Sequence, residues 1–238
     1  MKASLTRRAA AEYLGTLFLV ATVVGSGIMG ERLAGGNAAI ALLSNTIATG
    51  AALVALILAF GPISGAHLNP VVTFADAMEG GIAWKETPHY VFAQVSGGIC
   101  GAIAAHLMFG LQMVSLSRHA RSGPAQLFSE FVATFGLLCV IWGCARHRSN
   151  VVAFAVGAYI TAAYWFTAST SFANPAVTIA RALSDTFSGI RPADAPGFVI
   201  AQFAGGIAAT LVFRWFAPSL RSAAKDVMLT RDPAGDKQ

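Results

Sequence analysis

Asn69-Pro-Val-Val-Thr-Phe-Ala-Asp-Ala77 recurs as Asn174-Pro-Ala-Val-Thr-Ile-Ala-Arg-Ala182, identical at six of nine positions. Asn is a strong N-cap and Pro is pre-set for the first helical position, so each segment reads as a helix start. A single Asn-Pro reads most simply as an ordinary turn. Two copies read differently, because both sit in stretches free of Asp, Glu, Lys and Arg: Leu33–Ala75, with 43 residues, and Ser149–Ala180, with 32. Roughly 20 apolar residues cross a bilayer, so each stretch is too long for one crossing and too short for two. Each therefore holds a crossing helix plus a segment that dips into the membrane. Non-helical backbone is tolerated at that depth only where it is buried in protein or lines a watery cavity, which implies a cavity.

Four further charge-free stretches, Tyr13–Gly30, Thr87–Ser117, Phe131–Ala145 and Ala195–Phe213, complete a set of six. Crossing helices are expected near 9–30, 38–60, 88–109, 126–146, 151–168 and 196–217, the first retained and not cleaved as a signal. The 238-residue chain is 55% hydrophobic and 11% charged, against about 25% charged for soluble domains. With the N-terminus inside, Lys2, Arg7, Arg8, Lys85, Arg146, Arg148, Arg214, Arg221, Lys225, Arg231 and Lys237 fall on the cytoplasmic side. Arg32, Arg118, Arg121, Arg181 and Arg191 fall outside. That split predicts a multi-pass protein of the cell (inner) membrane with both termini and a tail over 218–238 in the cytoplasm. It also accounts for the net charge of +5 without a nucleic-acid partner. Cys100, Cys139 and Cys144 lie in apolar stretches and read as inert thiols, with no metal or cofactor expected.

Other pieces repeat in the same order. Glu12-Tyr-Leu-Gly-Thr16 returns as Glu130-Phe-Val-Ala-Thr134, and Ala93-Gln-Val-Ser-Gly-Gly-Ile99 as Ala201-Gln-Phe-Ala-Gly-Gly-Ile207. The first repeat spans about 9–110 and the second about 126–217. Three crossings in each half leave the second half inverted, an arrangement that places a functional site near the bilayer midplane. Two half-helix N-termini meeting there would each carry about half a positive charge, which repels cations and spares neutral solutes. The Asn carboxamides can cap backbone N–H groups with their oxygens and aim NH₂ donors into the pore. Gly97, Gly98, Gly205 and Gly206 read as close-packing positions between helices.

These motifs resemble those of the major intrinsic proteins, the aquaporin and glycerol-facilitator family. Ser64-Gly-Ala-His-Leu-Asn-Pro-Val71 and Phe172-Ala-Asn-Pro-Ala176 look like its two Asn-Pro-Ala boxes, and the Glu-x-x-x-Thr and Ala-Gln-x-x-Gly-Gly segments also match, over about residues 9–217. The resemblance implies an all-α integral membrane fold of six transmembrane helices and two re-entrant half-helices in an inverted 3+3 repeat. It implies a homotetramer in the lipid bilayer, each monomer passing small neutral solutes. Asn69, Pro70, Val71, Asn174, Pro175 and Ala176 would form the pore centre, His67 the cytoplasmic mouth, and Glu12 and Glu130 the loop supports. The narrow filter would comprise Thr49, Tyr164 or Ala162, Ser171 and Val177.

The family's usual filter carries an Arg after the second box and often an aromatic in the second helix; Val177 and Thr49 replace them. The constriction is therefore expected to be broader and more apolar, with Val71 adding methyl groups near the midplane and partly offsetting the width. Arg181, one turn past Val177, is expected to be exposed at the far end of its half-helix. Filters without arginine resemble those of a bacterial aquaglyceroporin subgroup associated with arsenic resistance. Neutral metalloid hydroxides or methylated arsenicals thus join water, glycerol and urea as expected cargo. A coupled transporter would need a charged midplane site, which the charge gaps do not supply. An ion leak is a second alternative, because the filter lacks its usual arginine. No nucleophile with a base, carboxylate pair or metal-ligand cluster suggests an enzyme.

Overall fold

The structure is a computed structural model that describes residues 3–145 and 149–216. The expected tail over 218–238 and the charges Lys2, Arg146, Arg148, Arg221, Lys225, Arg231 and Lys237 lie outside the described residues. The described residues fold into α1 (Leu5–Leu33), α2 (Ala38–Ser64), α3 (Pro70–Glu79), α4 (Thr87–Met108), α5 (Pro124–Ala145), α6 (Val152–Phe166), α7 (Pro175–Arg181) and α8 (Ala195–Phe216). Helices α1, α2, α4, α5 and α8 are each long and apolar enough to cross a membrane. Helix α6 is shorter, with 15 residues, or about 22 Å at 1.5 Å per residue, against a hydrocarbon core of about 30 Å. A 3₁₀ turn over Ser149–Val151 precedes it, and beyond Thr167, which is extended, the chain turns back inward as a loop. The deviation from the expected 151–168 therefore reflects where the re-entrant loop begins.

The half-helices start as their capping residues dictate. Asn69 Oδ1 accepts from Val71 N at 2.9 Å, and Asn174 Oδ1 accepts from Ala176 N at 3.0 Å, with Pro70 and Pro175 in the first helical positions. Gly80, at φ 81°, ends α3 in the left-handed cap that an L side chain resists.

Packing repeats between halves: α1 lies on α4 and α5 on α8, while α2 crosses to α6. Glycine allows the closest approaches. A Cβ at Gly97 would strike the Tyr13 carbonyl oxygen, and one at Gly205 would strike that of Phe131. Each half-helix also rests on the last helix of the other half, α3 on α8 and α7 on α4. The two loops are thereby pressed together at the centre of the bundle.

Candidate functional site

Each loop that leads into a half-helix is irregular backbone deep among helices, so its N–H groups need acceptors. One buried glutamate meets that need in each half. Glu12 Oε1 accepts from His67 N at 2.9 Å, and its Oε2 accepts from Leu68 N and Gln94 Nε2. Glu130 Oε1 accepts from Phe172 N at 2.9 Å, and its Oε2 accepts from Ala173 N and Gln202 Nε2. Gln94 also donates to Thr73 Oγ1, and Gln202 to Thr178 Oγ1, both at 2.9 Å. The symmetry extends to backbone conformation: Ala66 (φ 46°) matches Ser171 (51°), and Leu68 (51°) matches Ala173 (48°). Left-handed non-glycine residues cost about 1–3 kcal/mol each and persist only where surrounding bonds hold them. The two glutamates supply those bonds.

The half-helices also hold each other. Asn69 Nδ2 donates to Ala173 O and Asn174 Nδ2 to Leu68 O, each at 2.8 Å. Each carboxamide thus spends its oxygen on its own helix and one N–H on the opposite loop, which leaves one N–H.

Between the loops runs a narrow cavity of about 50 Å³. Its walls include Asn69 and Asn174, aliphatic groups such as Leu19, Leu53 and Ile141, and the loop residues Ala66, Leu68 and Ala173. Thr49, Tyr164, Ser171 and Val177 meet in the wall, and Thr49 Oγ1 lies 3.2 Å from Tyr164 Oη. Ala162, the alternative to Tyr164, is exposed on the outside of α6. His67 also lines the cavity, its Nδ1 3.1 Å from Thr73 Oγ1. His106, by contrast, ties α4 to the neighbouring loops, with Nδ1 3.0 Å from Met113 O and Nε2 2.8 Å from Ser184 Oγ.

Two expectations need correction. Pro70, Val71, Pro175 and Ala176 are buried in the first turns of the half-helices that Asn69 and Asn174 cap. Val71 turns toward α8, where a Cβ at Gly206 would strike its Cγ1, so its extra methyl groups fill a notch between helices and do not narrow the lumen. Arg181 is not exposed: it is 1% accessible, lines the cavity, and places Cζ 3.4 Å from the centre of the Phe172 ring. Its Nε donates to Ser188 O. The signal for this was present in the repeat register, which sets Phe172 against His67 and Arg181 against Asp76.

Comparison with known proteins agrees with this geometry. The Major intrinsic protein family matches over residues 1–152 and 148–234. The aquaglyceroporin AqpS of Rhizobium meliloti (strain 1021) is 54% identical over 217 residues, covering 91% of this chain and 93% of that protein. Aquaporin NIP3-1 of Oryza sativa subsp. japonica is 35% identical over 66% of this chain and 52% of its own length. The X-ray structure of the aquaglyceroporin from Plasmodium falciparum shares the fold, with a TM-score of 0.73 at 20% identity over 91% of this chain and 99% of that one. The chain belongs to the major intrinsic protein family and is a multi-pass membrane channel, not an enzyme, that passes small neutral solutes.

Proposed function

We propose that the cavity between the Asn-Pro loops is the solute path, with Asn69 and Asn174 as donors at its waist and Thr49, Tyr164, Ser171 and Val177 as its outer constriction. The observation that carries this reading is the convergence of both carboxamides and all four constriction residues on one mostly aliphatic cavity. An apolar wall with few polar groups lets a neutral solute slip past while the spare amide N–H groups replace part of its hydration. With Val177 and Thr49 in place of a guanidinium and a large ring, the constriction admits glycerol, urea and bulkier neutral species, methylated arsenicals and metalloid hydroxides among them. The same reading gives a homotetramer in the inner membrane with cytoplasmic termini, and repeats bounded near 9–110 and 126–217.

Stopped-flow light scattering on proteoliposomes, with water, glycerol, urea and a neutral methylated arsenical, tests the path. Val177→Arg adds bulk and a charged fork at the constriction, so flux of the larger solutes should fall more than flux of water. No loss for any solute would remove Val177 from the constriction, whereas equal loss for every solute would mark misfolding or simple blockage.

A further inference from the structure

The repeat brings a ring and a charged side chain to equivalent places in both halves. An offset of 105 carries His67 onto Phe172 and Asp76 onto Arg181. In the first half His67 Nε2 lies 3.6 Å from Asp76 Oδ2, and in the second the Arg181 guanidinium lies 3.4 Å from the centre of the Phe172 ring. Both rings line the cavity. One end of the path is thus backed by an acidic residue and the other by a cation.

The cation is held firmly and is incompletely used. Glu130 fixes Phe172 through its backbone N–H, and Ser188 O accepts from Arg181 Nε, yet Arg181 Nη1 has no hydrogen-bond partner among the described residues. Arg121 reaches the same ring, with Cζ 5.1 Å from its centre, but donates to Gly189 O and Ser169 O. A guanidinium stays charged when buried, and a buried charge with a donor left over is costly to keep. Here it forms part of the cavity wall together with Val177 and Tyr164.

We infer that Arg181 is the cation-excluding residue of this channel, its charge delivered from one helical turn beyond Val177 and seated on Phe172. The inference rests on the cavity being the solute path. It separates two properties that a single arginine after the second box would couple. Positions 49 and 177 stay wide and apolar for bulky neutral solutes, while a cation entering the constriction meets a charge that is poorly screened at that depth.

Proteoliposomes carrying the full-length chain test this with two readouts, glycerol flux by light scattering and Na⁺ entry by a trapped indicator. Arg181→Gln should raise Na⁺ entry on the order of tenfold or more, with glycerol flux persisting as the sign of a folded pore. Restoring a cation nearby, in Arg181→Gln combined with Val177→Arg, should bring Na⁺ entry back down. Arg181→His switches the charge within one protein, with low Na⁺ entry near pH 5.5, where imidazole is protonated, and high entry near pH 8. Wild type at both pH values controls for His67, Asp76, Glu130, Tyr164 and Arg121. An Arg181→Gln channel that passes glycerol and still excludes Na⁺ like wild type overturns the inference, as does an Arg181→His channel whose Na⁺ entry ignores pH. If neither variant passes glycerol, Val177→Glu decides by setting an anion against the intact arginine, and Na⁺ entry at the wild-type level there also overturns it. Absence of glycerol flux in wild type would instead refute the solute path.

Discussion

The carboxamide of Asn174 does three things with three atoms. Its oxygen caps α7, one N–H holds Leu68 O of the opposite loop, and the other N–H is left for an occupant of the cavity. Asn174→Asp removes both N–H groups and sets a carboxylate oxygen against Leu68 O. Loss of a buried donor of this kind costs about 1–3 kcal/mol, and the solute loses its partner at the waist. Glycerol and water flux should both fall in reconstituted protein that still purifies as a folded channel, and the matching Asn69→Asp, facing Ala173 O, should behave alike. Unchanged flux and selectivity in folded Asn174→Asp would count heavily against Asn174 as a donor to solute. At this scale the sequence identified the two carboxamides by residue type and repeat position. It did not reveal the direction of Val71 or Arg181, because direction depends on a partner far along the chain. Gly206 opens the notch that Val71 fills, and Phe172 offers the ring on which Arg181 lies.

Elements were more legible than side chains, since crossing helices announce themselves by long gaps in charge while their ends follow caps. Helix α3 is capped by Asn69, starts at Pro70 and ends before Gly80 as turn chemistry requires. Helix α6, expected near 151–168, ends at Phe166, because the charge-free stretch that signals the crossing runs on through the loop that follows and so does not mark where the helix stops. How α3 docks on α8 was also hidden, although its partners are simple: Val71 on α3 and Gly206 on α8. Adding a methyl at Gly206 overpacks this contact, and such insertions typically cost about 1–3 kcal/mol. Gly206→Ala should therefore lower the thermal midpoint of the detergent-solubilised protein. Pairing it with Val71→Ala should recover most of the loss, because residues in direct contact couple. A double variant no more stable than Gly206→Ala alone would show that Val71 does not fill the notch.

For the whole molecule, contacts between elements sort the connecting segments onto two faces. Arg8 pairs with Glu86 at 2.8 Å and Arg214 with Glu79, which brings the start of α1, the α3–α4 connection and the end of α8 to one face. The α4–α5 connection pairs instead with the segment after α7, where Ser117 N donates to Ala182 O at 3.0 Å and Arg191 N to His119 O at 2.7 Å. Basic residues favour the cytoplasmic side of a membrane, and by sequence eleven of the sixteen Lys and Arg residues, Arg7, Arg8, Lys85 and Arg214 among them, are assigned to the side of this face. That face should be cytoplasmic. Ser122 and Lys85 are both exposed on connections that belong to opposite faces, so each gives an accessible probe site. In a background lacking Cys100, Cys139 and Cys144, Ser122→Cys should react with a membrane-impermeant maleimide in intact cells. Lys85→Cys should react only after permeabilisation. The reverse pattern would turn the molecule over and put Arg181 at the inner end of the path, whereas labelling of both sites in intact cells would mean that the chain inserts in two orientations.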